Sequence, residues 1–168
     1  MTAERISRRT FLGSAGIGAV GLALIGGSSA GRGTTAVFRV SHSPAQWRQM
    51  LGAQRYAVLR EAATEPPFSS PLLKEHRKGI FVCAGCALPL FSSATKFESG
   101  TGWPSFWKPL EHAVVTRSDH SLLMERTEVL CSRCGGHLGH VFDDGPRPTG
   151  LRYCMNGLAL SFRPAPVA

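Results

Sequence analysis

Cys131-Ser132-Arg133-Cys134-Gly135-Gly136-His137-Leu138-Gly139-His140 says more about the fold than any other stretch of this chain. It has an upstream counterpart in Cys83-Ala84-Gly85-Cys86, and 44 residues separate Cys86 from Cys131. A Cys-x-x-Cys turn points two sulfurs at one place, and two such turns close a tetrahedron with metal–sulfur bonds of about 2.3 Å. The spacing predicts that Cys83, Cys86, Cys131 and Cys134 hold one structural Zn2+ per chain and clamp together two hairpins distant in sequence. Three other uses of these residues compete with zinc. Iron in the same ligands would make a rubredoxin-like electron carrier. A redox disulfide within one pair leaves the symmetry of the two pairs unexplained. A Cys2His2 set of Cys131, Cys134, His137 and His140 orphans Cys83 and Cys86.

Around these turns the texture is that of short strands. Ile80-Phe81-Val82, Ala113-Val114-Val115, Ser121-Leu122-Leu123-Met124, Glu128-Val129-Leu130 and residues 138–142, 151–156 and 158–162 are apolar runs broken by Gly, Pro, Ser and Asp. No helical period follows residue 80. Upstream, Ser43-Pro44 is an N-cap followed by proline at the first helical position, with Trp47, Met50 and Leu51 on one face. A second helix is expected over residues 53–62, with Tyr56 and Leu59 inward, stopped at Thr64-Glu65-Pro66-Pro67. The expected class is mainly β with a small helical N-terminal cap.

Residues 1–30 read as a leader: Ser7-Arg8-Arg9-Thr10-Phe11-Leu12 is a twin-arginine pattern, an apolar glycine-rich run follows, and Ser28-Ser29-Ala30 offers a cleavage site. Export by the twin-arginine route to the periplasm or cell envelope is the expectation, with a retained anchor as the alternative. That route carries folded proteins, which suits a metal site whose filling and folding are one event. Residues 31–42 then form a linker, and 43–164 the single domain that a 168-residue chain allows. Membrane contact is expected only through the leader, and the domain is expected to be a monomer. Of 19 basic and 11 acidic residues, three and one lie in the leader, so the net charge falls from +8 to +6. The basic residues are scattered, without aromatic interleaving or a groove-reading motif, which argues against nucleic acid as a partner.

With four cysteines assigned to metal, Cys154 in Arg152-Tyr153-Cys154-Met155-Asn156 is left over. In a strand, Arg152, Cys154 and Asn156 share one face. A guanidinium two residues from a thiol favours thiolate, the reactive species, and the asparagine can donate to a bound oxygen. The bland alternative is a buried, inert core thiol. His137 and His140 follow the second cysteine turn closely enough to be held by it, and imidazole is the natural proton donor near neutral pH. His42, His76, His112 and His120 read as ordinary surface residues. Residues 99–107, Ser-Gly-Thr-Gly-Trp-Pro-Ser-Phe-Trp, read as a loop able to present aromatic faces to a sulfur or a methyl group, or else as a hydrophobic plug over the sheet.

Taken together, the two cysteine turns, residues 99–106, residues 131–146 and residues 150–162 closely resemble the methionine sulfoxide reductase B family, over nearly the whole chain from Ser43 to Phe162. The resemblance implies two antiparallel sheets and reduction of the R epimer of methionine sulfoxide, in proteins or free. It implies Cys154 as the nucleophile that becomes a sulfenic acid, with His140, His137 and Asn156 as polar active-site residues and Arg152 favouring the thiolate. Trp103 would pack on the substrate methyl, Phe142 would extend that wall, and Asp144 would orient an imidazole. Many members carry a resolving cysteine where this chain has Thr101. The resemblance therefore implies a one-cysteine enzyme, reduced by a thioredoxin-like protein or a small thiol, acting on oxidised proteins. A non-catalytic zinc-ribbon-like binding module is the alternative from another class.

Overall fold

The computed structural model describes residues 38–121 and 125–166. The leader, most of the linker and all but the first residue of the expected strand Ser121–Met124 lie outside the described residues.

The chain enters through α1 (Pro44–Glu61). Ser43 accepts from the Gln46 amide, and the Gln46 side chain accepts from the Ser43 amide, a reciprocal capping box that fixes the start. At Gly52 the backbone turns to φ 70°, ψ 171°, so the element is two helical pieces joined at a kink, as the two expected helices require. Trp47, Leu51, Tyr56, Val58 and Leu59 are buried, but Met50 is 56% exposed. Only two turns precede the break, and they bury one edge, on which Trp47 and Leu51 lie and Met50 does not.

Nine strands follow among the described residues: β1 (Gly79–Cys83), β2 (Pro89–Ser92), β3 (Lys96–Phe97), β4 (Ser105–Phe106), β5 (Val114–Asp119), β6 (Arg126–Cys131), β7 (His137–Phe142), β8 (Arg152–Met155) and β9 (Leu160–Pro164). They form a three-stranded sheet, β2-β1-β9, and a six-stranded sheet, β3-β4-β8-β7-β6-β5, antiparallel throughout. The fold class is therefore mainly β with two antiparallel sheets and one broken helix. Phe91 of β2 stacks on Phe106 of β4 with centroids 4.4 Å apart, and Phe81 of β1 meets Phe106 edge-on at 4.9 Å. All three are fully buried, so aromatic faces weld the small sheet to the large one.

Residues 99–107 are not entirely loop. Ser105 and Phe106 pair with Cys154 and Tyr153, inserting β4 between β3 and β8. A two-residue strand next to Pro104 has no alternation to read, and its pairing is decided by β8. Residues 157–159 form a 3-10 turn instead of the start of the last strand, which begins at Leu160.

Candidate active site and metal centre

The two cysteine turns sit at the ends of β1 and β6, one in each sheet. Their four Sγ atoms lie within 4.8 Å of one another, with Cys83 and Cys134 at 3.7 Å and Cys86 and Cys131 at 3.5 Å. The edge of a tetrahedron with 2.3 Å metal–sulfur bonds is about 3.8 Å, so the sulfurs already stand at the separation a tetrahedral metal needs. Cys83 and Cys134 are pushed up and Cys86 and Cys131 down, each first by a neighbouring sulfur of the cluster. Four thiols sharing protons this closely are the donor set that a soft divalent cation takes over. Above them Leu59 fills the space beside Gly136, where a Cβ would stand 2.8 Å from its methyl, and Trp47 lies over Gly85. The N-terminal helix thus lids the cluster, and Arg60 adds a hydrogen bond to the Cys134 carbonyl at 2.9 Å.

Cys154 lies at the centre of the large sheet, between Ser105 on β4 and His140 on β7. β7 can approach it because residue 139 is glycine: φ is 153°, and a Cβ would sit 2.1 Å from the Cys154 carbonyl. Thr64, Trp103, Arg126, His140, Phe142, Cys154 and Asn156 line one cavity of about 140 Å3 with Gly139 as its floor. That is well below the ~300–1,000 Å3 of sites for drug-sized molecules and suits one side chain. A larger open groove of about 710 Å3, along Ile80, Val82, Pro89 and Arg163, holds none of the chemistry-bearing residues.

The polar groups here come as braced pairs. His137 is 4% exposed, and its Nδ1 lies 2.7 Å from one Glu128 oxygen, while Arg117 engages the other. A carboxylate can only accept, so Nδ1 carries the proton and Nε2, which has no hydrogen-bond partner among the described residues, is the free atom. Burial first, against the pull of Glu128, pushes the imidazole below its ordinary value. His140 donates Nε2–H to Asp119 at 2.8 Å, and Arg126 reaches the same oxygen at 2.7 Å. The hydrogen bonds from Ser121, then the one from His140, hold Asp119 well below the usual carboxylate range. The rings of His137 and His140 meet edge-on with centroids 5.5 Å apart.

Asp144 does not orient an imidazole. It takes both Nε and Nη2 of Arg152, at 2.7 and 2.8 Å, and that guanidinium lies 4.4 Å over the Phe142 ring. The Asp144 hydrogen bonds, with the charge of Cys154 adding to them, raise Arg152 above its ordinary value. Imidazole partners come from β5 and β6 instead, because the histidines on β7 face those strands across the sheet. Asn156 is 3% exposed, and its Nδ2 donates to the Leu138 carbonyl at 3.3 Å while its Oδ1 accepts from the Glu65 amide. One of its two amide hydrogens is thus committed to the scaffold. His42, His76, His112 and His120 are exposed, as expected.

Sequence reasoning overlooked Glu65, Asp119, Arg126 and Glu128. Glu65 is 4% exposed: its carbonyl accepts the Trp103 indole N–H at 3.1 Å, and its carboxylate accepts the Gly157 and Leu158 amides. One residue therefore braces both Trp103 and Asn156. The signal was present in the chain as a carboxylate flanked by Thr64 and Pro66 in a segment read only as a helix stop.

Residues 51–164 match the SelR domain. The peptide methionine sulfoxide reductase MsrB of Leptospira interrogans is 54% identical over 127 residues, which cover 75% of this chain and 97% of that protein. The protein of the same name from Bradyrhizobium diazoefficiens is 57% identical over 127 residues, covering 75% and 91%. That from Methanosarcina barkeri is 52% identical over 125 residues, covering 74% and 88%. Matches this long, over the segments that build both sulfur centres, place the chain in the SelR-domain family, the methionine sulfoxide reductases B.

Proposed function

We propose that this protein reduces the R epimer of methionine sulfoxide through a sulfenic acid on Cys154 and is regenerated by an external thiol. Methionine sulfoxide reduction in general comes with membership of the family; the stereochemistry, the intermediate and the reductant are our reading. The observation that carries it is the single cavity in which Cys154 meets Trp103, Phe142 and His140. An apolar aromatic wall and a proton-bearing polar side face one sulfur there.

In the proposed reaction the Cys154 thiolate attacks the sulfoxide sulfur while Trp103 and Phe142 receive the methyl group. The oxygen leaves the substrate sulfur for the cysteine sulfur, methionine departs, and Cys154 is left as sulfenic acid. Protons are delivered on the side of His140, whose ring is fixed by Asp119 and meets the buried ring of His137 edge-on. Arg152, anchored by Asp144, favours the thiolate. Two external thiols then return the sulfenic acid to thiol, giving a disulfide and water. External thiols are invoked because all five cysteines are free and four of them cluster where they could hold a metal. A thioredoxin-like protein is the first candidate for that role.

Zinc is our assignment for the cluster, with Cys83, Cys86, Cys131 and Cys134 as its ligands. It would supply rigidity between the sheets and no step of the reaction. The leader supports work outside the cytoplasm on oxidised envelope or secreted proteins, where a sulfoxide makes an apolar side chain polar and damages packing.

The test is a single turnover of separated R and S methionine sulfoxide by reduced protein without added reductant. About one equivalent of methionine from the R epimer alone, with sulfenic acid on Cys154, is expected. An internal disulfide would mean that a cysteine assigned to the metal is the resolver, with the external thiol reducing that disulfide instead of the sulfenic acid. No methionine from either epimer would leave a metal-bound binding module.

A further inference from the structure

Behind Cys154, on the side away from the histidines, three hydroxyls stand in a row. Thr101 Oγ1 lies 3.7 Å from the Cys154 sulfur, Ser99 Oγ 2.9 Å from Thr101 Oγ1, and Ser105 Oγ 2.7 Å from Ser99 Oγ. The row ends 3.1 Å beyond, where Ser105 donates to the carbonyl of Trp103. Ser105 is 1% exposed and sits opposite Cys154 in the β4–β8 pairing, so strand register holds the row in place.

Proton counting gives the row a direction. Each hydroxyl has one hydrogen and can accept two. A carbonyl only accepts, so Ser105 spends its hydrogen on Trp103, Ser99 on Ser105 and Thr101 on Ser99. The Thr101 oxygen is then an acceptor for the Cys154 S–H. A thiolate has no hydrogen to give, and against it the same arrangement sets two acceptors face to face. Turning all three hydroxyls round moves the mismatch to the far end of the row, where Ser105 Oγ then faces the Trp103 carbonyl. Ser105 donates to Ser99, Ser99 to Thr101, and Thr101 to the sulfur anion, so the charged acceptor is the one satisfied. Ser99 also accepts the Thr101 amide at 3.4 Å, a bond compatible with either direction. Because the row ends on a carbonyl it cannot carry the thiol proton away; that proton leaves through the cavity.

We propose that Thr101 is a catalytic residue of the reaction proposed above, its hydroxyl being the reversible hydrogen-bond partner of the Cys154 sulfur, with Ser99 and Ser105 as positioning residues that let it turn. The inference rests on that reading for its role in turnover, while the thiol chemistry itself can be measured without any sulfoxide.

The test is the pH dependence of iodoacetamide alkylation at Cys154 in the metal-loaded full chain, followed by the mass of the Cys154 peptide. The charged and titratable groups around the sulfur are Arg152, Arg126 and His140, with Asp144, Asp119, Glu128 and His137 behind them. Thr101→Val keeps all of these and the shape, and removes only the hydroxyl. Losing a hydrogen bond to a charged acceptor should raise the midpoint of the profile by about one pH unit, an approximately tenfold lower rate near neutrality. Thr101→Ser should restore the native profile and Ser99→Ala should give an intermediate one. A Thr101→Val profile superimposed on the native one overturns the proposal. Should that variant fail to fold, a native profile in Ser99→Ala does the same. Native protein that turns over no sulfoxide, yet shows the expected shifts, would sink the reaction and leave the hydroxyl switch standing.

Discussion

The four-cysteine cluster and the Cys154 pocket lie in one small domain and are assembled in opposite ways. The cluster takes four ligands of one kind from two turns of identical spacing, each turn preset to aim its sulfurs. The pocket takes single residues of different kinds from segments scattered between Thr64 and Asn156, and none is aimed by its neighbours in sequence alone. Damage to the first should therefore spread through the fold. Damage to the second should stay local and show up in chemistry.

The strongest way to break this contrast is to exchange the two kinds of sulfur. Cys131→Ser, or metal removal by a chelator, should lower the melting temperature by on the order of 15 °C or more, because metal-binding free energy is folding free energy in such sites. Cys154→Ser should shift melting by no more than ~2 °C while reducing sulfoxide reduction at least ~1,000-fold. Calorimetry and methionine release measured on the same two variants check both halves. Equal melting temperatures for the two would mean that the cluster does not staple the sheets.

Glu65 tests whether the pocket is as local as claimed. Its carboxylate accepts two amides in the 157–158 turn while its backbone holds Trp103 and Asn156. Glu65→Gln leaves one amide poorly paired, and should cost about 1–3 kcal/mol in urea unfolding. kcat/KM should fall about tenfold through misplacement of the indole. A loss of stability with unchanged kinetics would make Glu65 a scaffold residue only.

Acid sharpens the comparison further. The native state resists protonating His137, whereas the unfolded chain protonates it near the ordinary imidazole value of about 6.5. Stability is therefore indifferent to this group above that pH. It is lost as pH falls from there towards the lowered native value, with a slope of at most about 1.4 kcal/mol per pH unit. The difference between native protein and His137→Asn, in urea midpoints from pH 7.5 to 5.5, isolates this loss from acid release of metal.

The smallest effect is expected at the rim. Asp144 is 59% exposed, and its ion pair with Arg152 should contribute less than ~1 kcal/mol to stability. Asp144→Asn should slow alkylation of Cys154 a few-fold near neutral pH by freeing the guanidinium. A larger loss would mean that the pair orders the wall made by Phe142.

Short-range chemistry was legible in residue order. The four ligands, the capped helix with its break near residue 52, six of the nine strands and the leftover Cys154 all follow from spacing, period or elimination over a few residues. Pairing across distance was not. That Ser105–Phe106 is a strand beside Cys154, that Met50 turns outward, and that Asp144 serves Arg152 depend on which surfaces meet. So do the carboxylates behind His137 and His140, which come from Glu128 and Asp119 because β7, β6 and β5 lie side by side. A Cys-x-x-Cys turn contains its own geometry, since chain connectivity sets the distance between its sulfurs. A hydrogen bond between residues far apart in sequence has no such constraint until the sheets close and strand register sets the distance.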